Sequence, residues 1–76
     1  MDKVIDIRSY FTENTPGKFQ GVSVMNTAIS SLLRAGVDNM DALCAMPEKD
    51  VALVRNIGAK RLELVLLLRD RYAAGE

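Results

Sequence analysis

Seventy-six residues make one small domain, and an apolar fraction of 49% suits a packed core and argues against disorder. Ten cations balance ten carboxylates, so the net charge is zero, which counts against strong non-specific DNA binding. One cysteine and no histidine exclude an internal disulfide and a zinc site.

The first ten residues carry Asp2, Lys3, Asp6 and Arg8 and no long apolar run, unlike a secretory signal. The longest apolar run, Leu64 to Leu68, is too short to cross a membrane. A reducing cytoplasm is the expected setting. Two tyrosines and two phenylalanines are the only aromatics, so an aliphatic core is expected.

Residues 1–20 read as an N-terminal extension, and residues 21–76 as the helical domain proper. In the extension, Asp2 suits the cap of a short helix that places Val4, Ile7 and Phe11 on one face. The stretch Val4-Ile5-Asp6-Ile7-Arg8 also fits a short strand, although no later segment offers an evident partner. Thr12 to Gly17 reads as a turn or linker.

The spacing predicts a helix from Val24 or Asn26 to Ala35, capped by Ser23 or Asn26. Its apolar stripe is Val24, Ala28, Ile29, Leu32 and Leu33, and Gly36 stops it. A short helix from Met40 to Ala45 follows, with Asp38 or Asn39 as cap. Pro47 opens a third helix, where its missing N–H costs nothing, with Glu48 and Asp50 at the favourable end of the dipole. Val51, Leu53 and Val54 turn inward. After the turn Asn56-Ile57-Gly58, a last helix runs from near Ala59 to about Ala73. Leu62, Val65, Leu66 and Leu68 or Arg69 form its core face, and Gly75 is its stop. The fold class is all-α: a compact bundle of four to five short helices joined by tight turns.

The turn carries the most chemical information. Val54-Arg55-Asn56-Ile57-Gly58-Ala59-Lys60-Arg61-Leu62 reads as a helix-hairpin-helix. Ile57 is an apolar plug, Gly58 allows a positive φ or a close approach, and Asn56 bonds within its own turn. The free N–H groups of Gly58 to Arg61 and the helix dipole favour an anion there, beside the charges of Lys60 and Arg61. A plain helix–helix corner and a phosphate site both fit this turn. Other residues read blandly. Cys44 is a buried small apolar residue with no nearby cation, and Met25, Met40 and Met46 are fillers. Ser30 and Ser31 lack a base, and no carboxylate pair has catalytic spacing, so no enzyme activity and no cofactor are expected.

Three segments resemble the C-terminal domain of the bacterial RNA polymerase α subunit. They are Ser31-Leu32-Leu33-Arg34-Ala35-Gly36-Val37, Met40-Asp41-Ala42-Leu43-Cys44, and Glu48 through Glu63. The last is similar to that family's Arg-Asn-Leu-Gly-x-Lys-Ser-Leu-x-Glu pattern. The likeness runs from Val22 to about Arg71 without gaps. It implies a helix-hairpin-helix that contacts A·T-rich DNA, with transcription regulators or RNA polymerase as further partners. The family's DNA surface pairs the start of its first helix with the hairpin. Its key arginine falls on Thr27 and its asparagine on Ser30. Gly58 and Lys60 match the pattern, and Arg61 replaces a small polar residue. The implied DNA site is therefore Thr27, Ser30, Arg55, Asn56, Gly58, Lys60 and Arg61. With the minor-groove arginine lost, weak backbone contact is expected. Residues 1–20 do not resemble the linker that precedes this domain in the polymerase subunit. The expectation is a stand-alone bacterial protein, with a protein partner or a homodimer through Leu64, Leu67 and Leu68 as the alternative to DNA.

Overall fold

The computed structural model describes residues 4–19 and 23–75. The cap read at Asp2, and the boundary between residues 20 and 21, lie outside them. Five α-helices follow in order: α1 (Ile7–Asn14), α2 (Val24–Arg34), α3 (Met40–Ala45), α4 (Glu48–Ala52) and α5 (Gly58–Ala73). A 3₁₀ turn, Gly17–Phe19, lies between α1 and α2. The longest helix, α5, packs against α2, α3 and α4, and α1 packs against α2. None of these helices is long and apolar enough to cross a membrane.

The N-terminal segment realises part of each sequence reading. The helix begins at Ile7, because Asp6 is extended and its carboxylate accepts a hydrogen bond from the Ser9 N–H at 2.9 Å. Val4 precedes it and is 65% exposed, so it shares no helical face with Ile7 and Phe11. The stretch before the helix does find a partner. Asp6 forms an isolated antiparallel bridge with Asn39, through Ile7 N–H to Asp38 O at 3.1 Å and Met40 N–H to Ile5 O at 2.8 Å. Thr12, Glu13 and Asn14 belong to α1 rather than to a turn. The helix stops at Thr15, whose backbone N–H and hydroxyl both donate to the Phe11 carbonyl, and Pro16 follows.

The core is less aliphatic than composition suggests. Phe11 and Phe19 are fully buried with Ile7, Ile29, Leu32, Met40, Leu43, Val51, Leu64, Val65 and Leu68. Both phenylalanines come from the segment before residue 20, so that segment completes the same core as the later helices. Each large aromatic buried there contributes a few kcal/mol of apolar transfer (about 25 cal/mol per Å²).

Helix ends follow local chemistry. Asn39 caps α3 by accepting from the Ala42 N–H at 2.8 Å. Pro47 occupies the cap position of α4 instead of its first turn, and Gly36 follows α2 at φ +88. Inward directions are corrected in two places. Leu53 is 78% exposed, not core. After Ala52 the chain tightens through Leu53 N–H to Asp50 O and Val54 N–H to Val51 O, both 3.1 Å. Three residues per turn align Val54 with Val51 and rotate Leu53 outward. On α5 the buried face is Leu64, Val65 and Leu68, while Leu62 and Leu66 are half-buried. Residues 64–68 are apolar all round, so periodicity does not choose a face; the positions of α2 and α3 do.

Candidate nucleic-acid interface

The hairpin is built by two left-handed residues around one plug. Asn56 has φ +65 and Gly58 has φ +68, while Ile57 between them is 4% exposed and its N–H donates to Val54 O at 3.2 Å. Asparagine tolerates this conformation through its short polar side chain, and glycine through its missing Cβ. The plug turns inward, and the flanking residues Arg55 and Asn56 are left exposed.

Arg61 has a different place from the one its sequence position suggests. Its Nη1 donates back to the Ile57 carbonyl at 3.1 Å. The guanidinium occupies the space beside Gly58, where an added Cβ would lie 2.8 Å from Nη1. Its Nε is buried without a hydrogen-bond partner. Arg61 therefore braces the turn, and only part of its charge faces water. Lys60 is exposed and points toward the N-terminal segment, with Nζ 5.3 Å from the Phe19 ring centroid. Lys18 lies 5.1 Å from the same centroid and pairs with Glu63 at 3.4 Å. Both lysines thus approach the Phe19 ring, and Lys18 is committed to Glu63.

The other predicted residues converge. A crevice of about 400 Å³ is lined by Ser31, Arg34, Ala35, Arg55 and Asn56. A neighbouring one of about 230 Å³ is lined by Asn26, Thr27, Ser30, Ser31, Arg34 and Asn56. The two share Ser31, Arg34 and Asn56, so they are parts of one cleft between α2 and the hairpin. Thr27 and Ser30 thus stand across from Arg55 and Asn56. Gly58, Lys60 and Arg61 do not line this cleft.

Arg34 was not singled out by the sequence reading. It follows Thr27 by seven residues and Ser30 by four, which is the same helix face, about 10 Å along the axis from Thr27. Extending the stripe through Thr27 and Ser30 by one turn would have found it. Arg34 and Arg55 are both exposed and in no ion pair among the described residues. The cleft therefore holds two uncommitted guanidiniums among hydroxyl and amide groups.

At the other end of the molecule, Cys44 is half-buried, and its thiol contacts the Arg69 carbonyl at 3.7 Å. Burial pushes this thiol above its ordinary pKa, and the nearby Arg69 charge only partly opposes the effect. A cation is thus near Cys44 after all, but the thiol is kept protonated. Tyr72 donates to the Asp41 carboxylate at 2.9 Å, and that bond, more than burial, raises the phenol above its ordinary value. Among the described residues, no three His, Cys, Asp or Glu side chains are grouped to hold a metal. No protein-family model, no curated protein and no solved structure matches this chain.

Proposed function

We propose that the cleft between α2 and the hairpin holds nucleic-acid backbone, and that the protein is a non-enzymatic DNA-binding module associated with transcription. The observation that carries this reading is the juxtaposition of Thr27, Ser30 and Arg34 on α2 with Arg55 and Asn56 on the hairpin. Arg34 and Arg55 supply charge and forked donors for phosphate oxygens. The Thr27 and Ser30 hydroxyls and the Asn56 amide supply neutral donors, the usual positioning contacts on a sugar–phosphate backbone. Resemblance to the polymerase α C-terminal domain supports the same surface. Thr27 in place of the family's arginine removes the side chain that probes a narrow minor groove. Arg34 restores a cation to the same helix face, two turns further on. The expected result is weak binding with little base preference.

Amide-shift NMR with a short A·T-rich duplex at low salt tests this. Shifts are expected at Thr27, Ser30, Arg34, Arg55 and Asn56. The Arg34→Ala, Arg55→Ala pair should weaken binding about tenfold or more and reduce the salt slope by about two. Absence of shifts at low salt would overturn the reading. It would favour the alternative, a protein-interaction module that engages RNA polymerase or a regulator. Leu53, 78% exposed beside the hairpin, is the observation in favour of that alternative. A homodimer through α5 has less surface to use, because Leu64 and Leu68 lie in the chain's own core and only Leu67 of that trio is exposed, at 39%.

A further inference from the structure

A second cavity lies apart from the cleft just described and shares no residue with it. About 910 Å³ opens between α1 and the C-terminal turn of α5. One wall is the cap residue Asp6 followed by Tyr10 and Glu13 on α1, four and three residues further along. Tyr72 forms the opposite wall, and Val4, 65% exposed, forms an apolar lip. The Tyr10 and Tyr72 rings meet edge to face, 5.4 Å between centroids.

The charge of this groove is one-sided. Asp6 and Glu13 are its charged lining residues, and no lysine or arginine lines it among the described residues. Tyr72 adds Asp41 at its back through the 2.9 Å hydrogen bond. Arg69, the arginine one turn before Tyr72, is committed elsewhere, with Nη2 donating to Met46 O at 2.8 Å and Nη1 pairing with Asp70 at 3.5 Å. In a chain with as many cations as carboxylates, a groove whose charged lining among the described residues is Asp6 and Glu13, set among two phenol rings and neutral side chains, selects its occupant by charge.

We propose that this groove docks a basic segment of a partner protein, with arginine or lysine facing Asp6 and Glu13 and an adjacent apolar side chain on Val4. Carboxylates take the cation directly, and aromatic rings add attraction for it at their faces. Phosphate-bearing partners are disfavoured, since they would face like charge. The groove thereby gives the molecule a second face whose partner is opposite in charge to that of the cleft.

The chain itself supplies the probe. Its only two tyrosines both line the groove and it has no tryptophan, so tyrosine emission reports this site alone. The titrant is a capped Leu-Arg-Leu-Arg-Leu peptide, which has no aromatic residue; the control is its Leu-Glu-Leu-Glu-Leu counterpart. The arginine peptide should change the emission saturably and the glutamate peptide should not. Glu13 is exposed, so Glu13→Lys should keep the native circular dichroism while weakening arginine-peptide binding at least tenfold. Ser9→Lys, a second exposed position on the same wall, should do likewise. No saturable change, equal response to both peptides, or unaltered affinity in both folded lysine variants would overturn the proposal. So would a saturable response to an A·T-rich duplex in place of the arginine peptide.

Discussion

The hairpin and the N-terminal segment exchange the roles that their sequences suggest. The hairpin, residues 54–62, has the look of a binding motif. Much of it serves its own geometry: Ile57 fills the core, Gly58 and Asn56 carry positive φ, and Arg61 braces the turn from behind. The segment from Val4 to Phe19 has the look of an appendage. It supplies two fully buried phenylalanines, a backbone tie to α3, and the Phe19 ring that Lys18 and Lys60 both approach. A motif that is recognisable in sequence is therefore as much a structural device as a functional one, and a segment without a motif can be part of the core.

Four measurements break or sharpen this contrast, the largest effect first. Phe11→Ala should cost about 3–5 kcal/mol in urea unfolding, a large share of the stability of so small a domain. A loss under about 1 kcal/mol would make the N-terminal segment a loosely docked appendage and undo the contrast. Gly58→Ala should cost about 1–2 kcal/mol, because alanine at φ +68 is strained. The close contact with the Arg61 guanidinium is the lesser part, since that flexible end can swing aside. A melting temperature equal to the parent's would show that the turn relaxes without its glycine.

Asn39→Ala should cost about 1 kcal/mol through the lost cap of α3, in the same residue that bridges Asp6. An effect well above this would show that the cap and the N-terminal bridge form cooperatively. The smallest effect concerns pH. In the folded chain the Tyr72 phenol is held protonated by its bond to Asp41, so its folded pKa lies above the unfolded one. Its contribution to stability is fully present below the ordinary tyrosine pKa of about 10. It is lost as pH rises through the higher folded value. Unfolding followed from pH 9 upward should therefore show a small loss that Tyr72→Phe reduces, the remainder coming from the Cys44 thiol, which burial also raises. A decline of equal size in that variant would assign it to other groups.

Legibility differed by the range of the interaction. Helix α3 has the bounds that its sequence predicts, because Asn39 and the apolar spacing are both local. Helix α5 matches to within a residue at each end, and α2 takes the earlier of its two predicted starts, although Ser23 makes no side-chain cap bond; Gly36 and Gly75 follow them in the left-handed conformation. The start of α1 was misplaced, because Asp2 and Asp6 are equivalent as caps until a neighbour holds the chain before Ile7 extended. For the candidate site, Thr27, Ser30, Arg55 and Asn56 line one cleft while Gly58, Lys60 and Arg61 do not, and neither Arg34 nor the diversion of Arg61 is legible in the sequence. Whether an arginine faces solvent or folds back on a carbonyl depends on contacts that spacing does not encode.

The sequence by itself determined the all-α class, the order of the helices, most of their ends, and Ile57 as the plug of the hairpin. Those follow from caps, glycines and 3.6-residue spacing, which act within a few residues. The tertiary structure alone decided which face of the wholly apolar stretch of α5 is buried. It also decided that Leu53 points outward, that Phe11 and Phe19 complete the core, and that Arg34 faces Arg55 across a cleft. These depend on burial and electrostatics summed over residues far apart in the chain, and they exist only once the helices have packed.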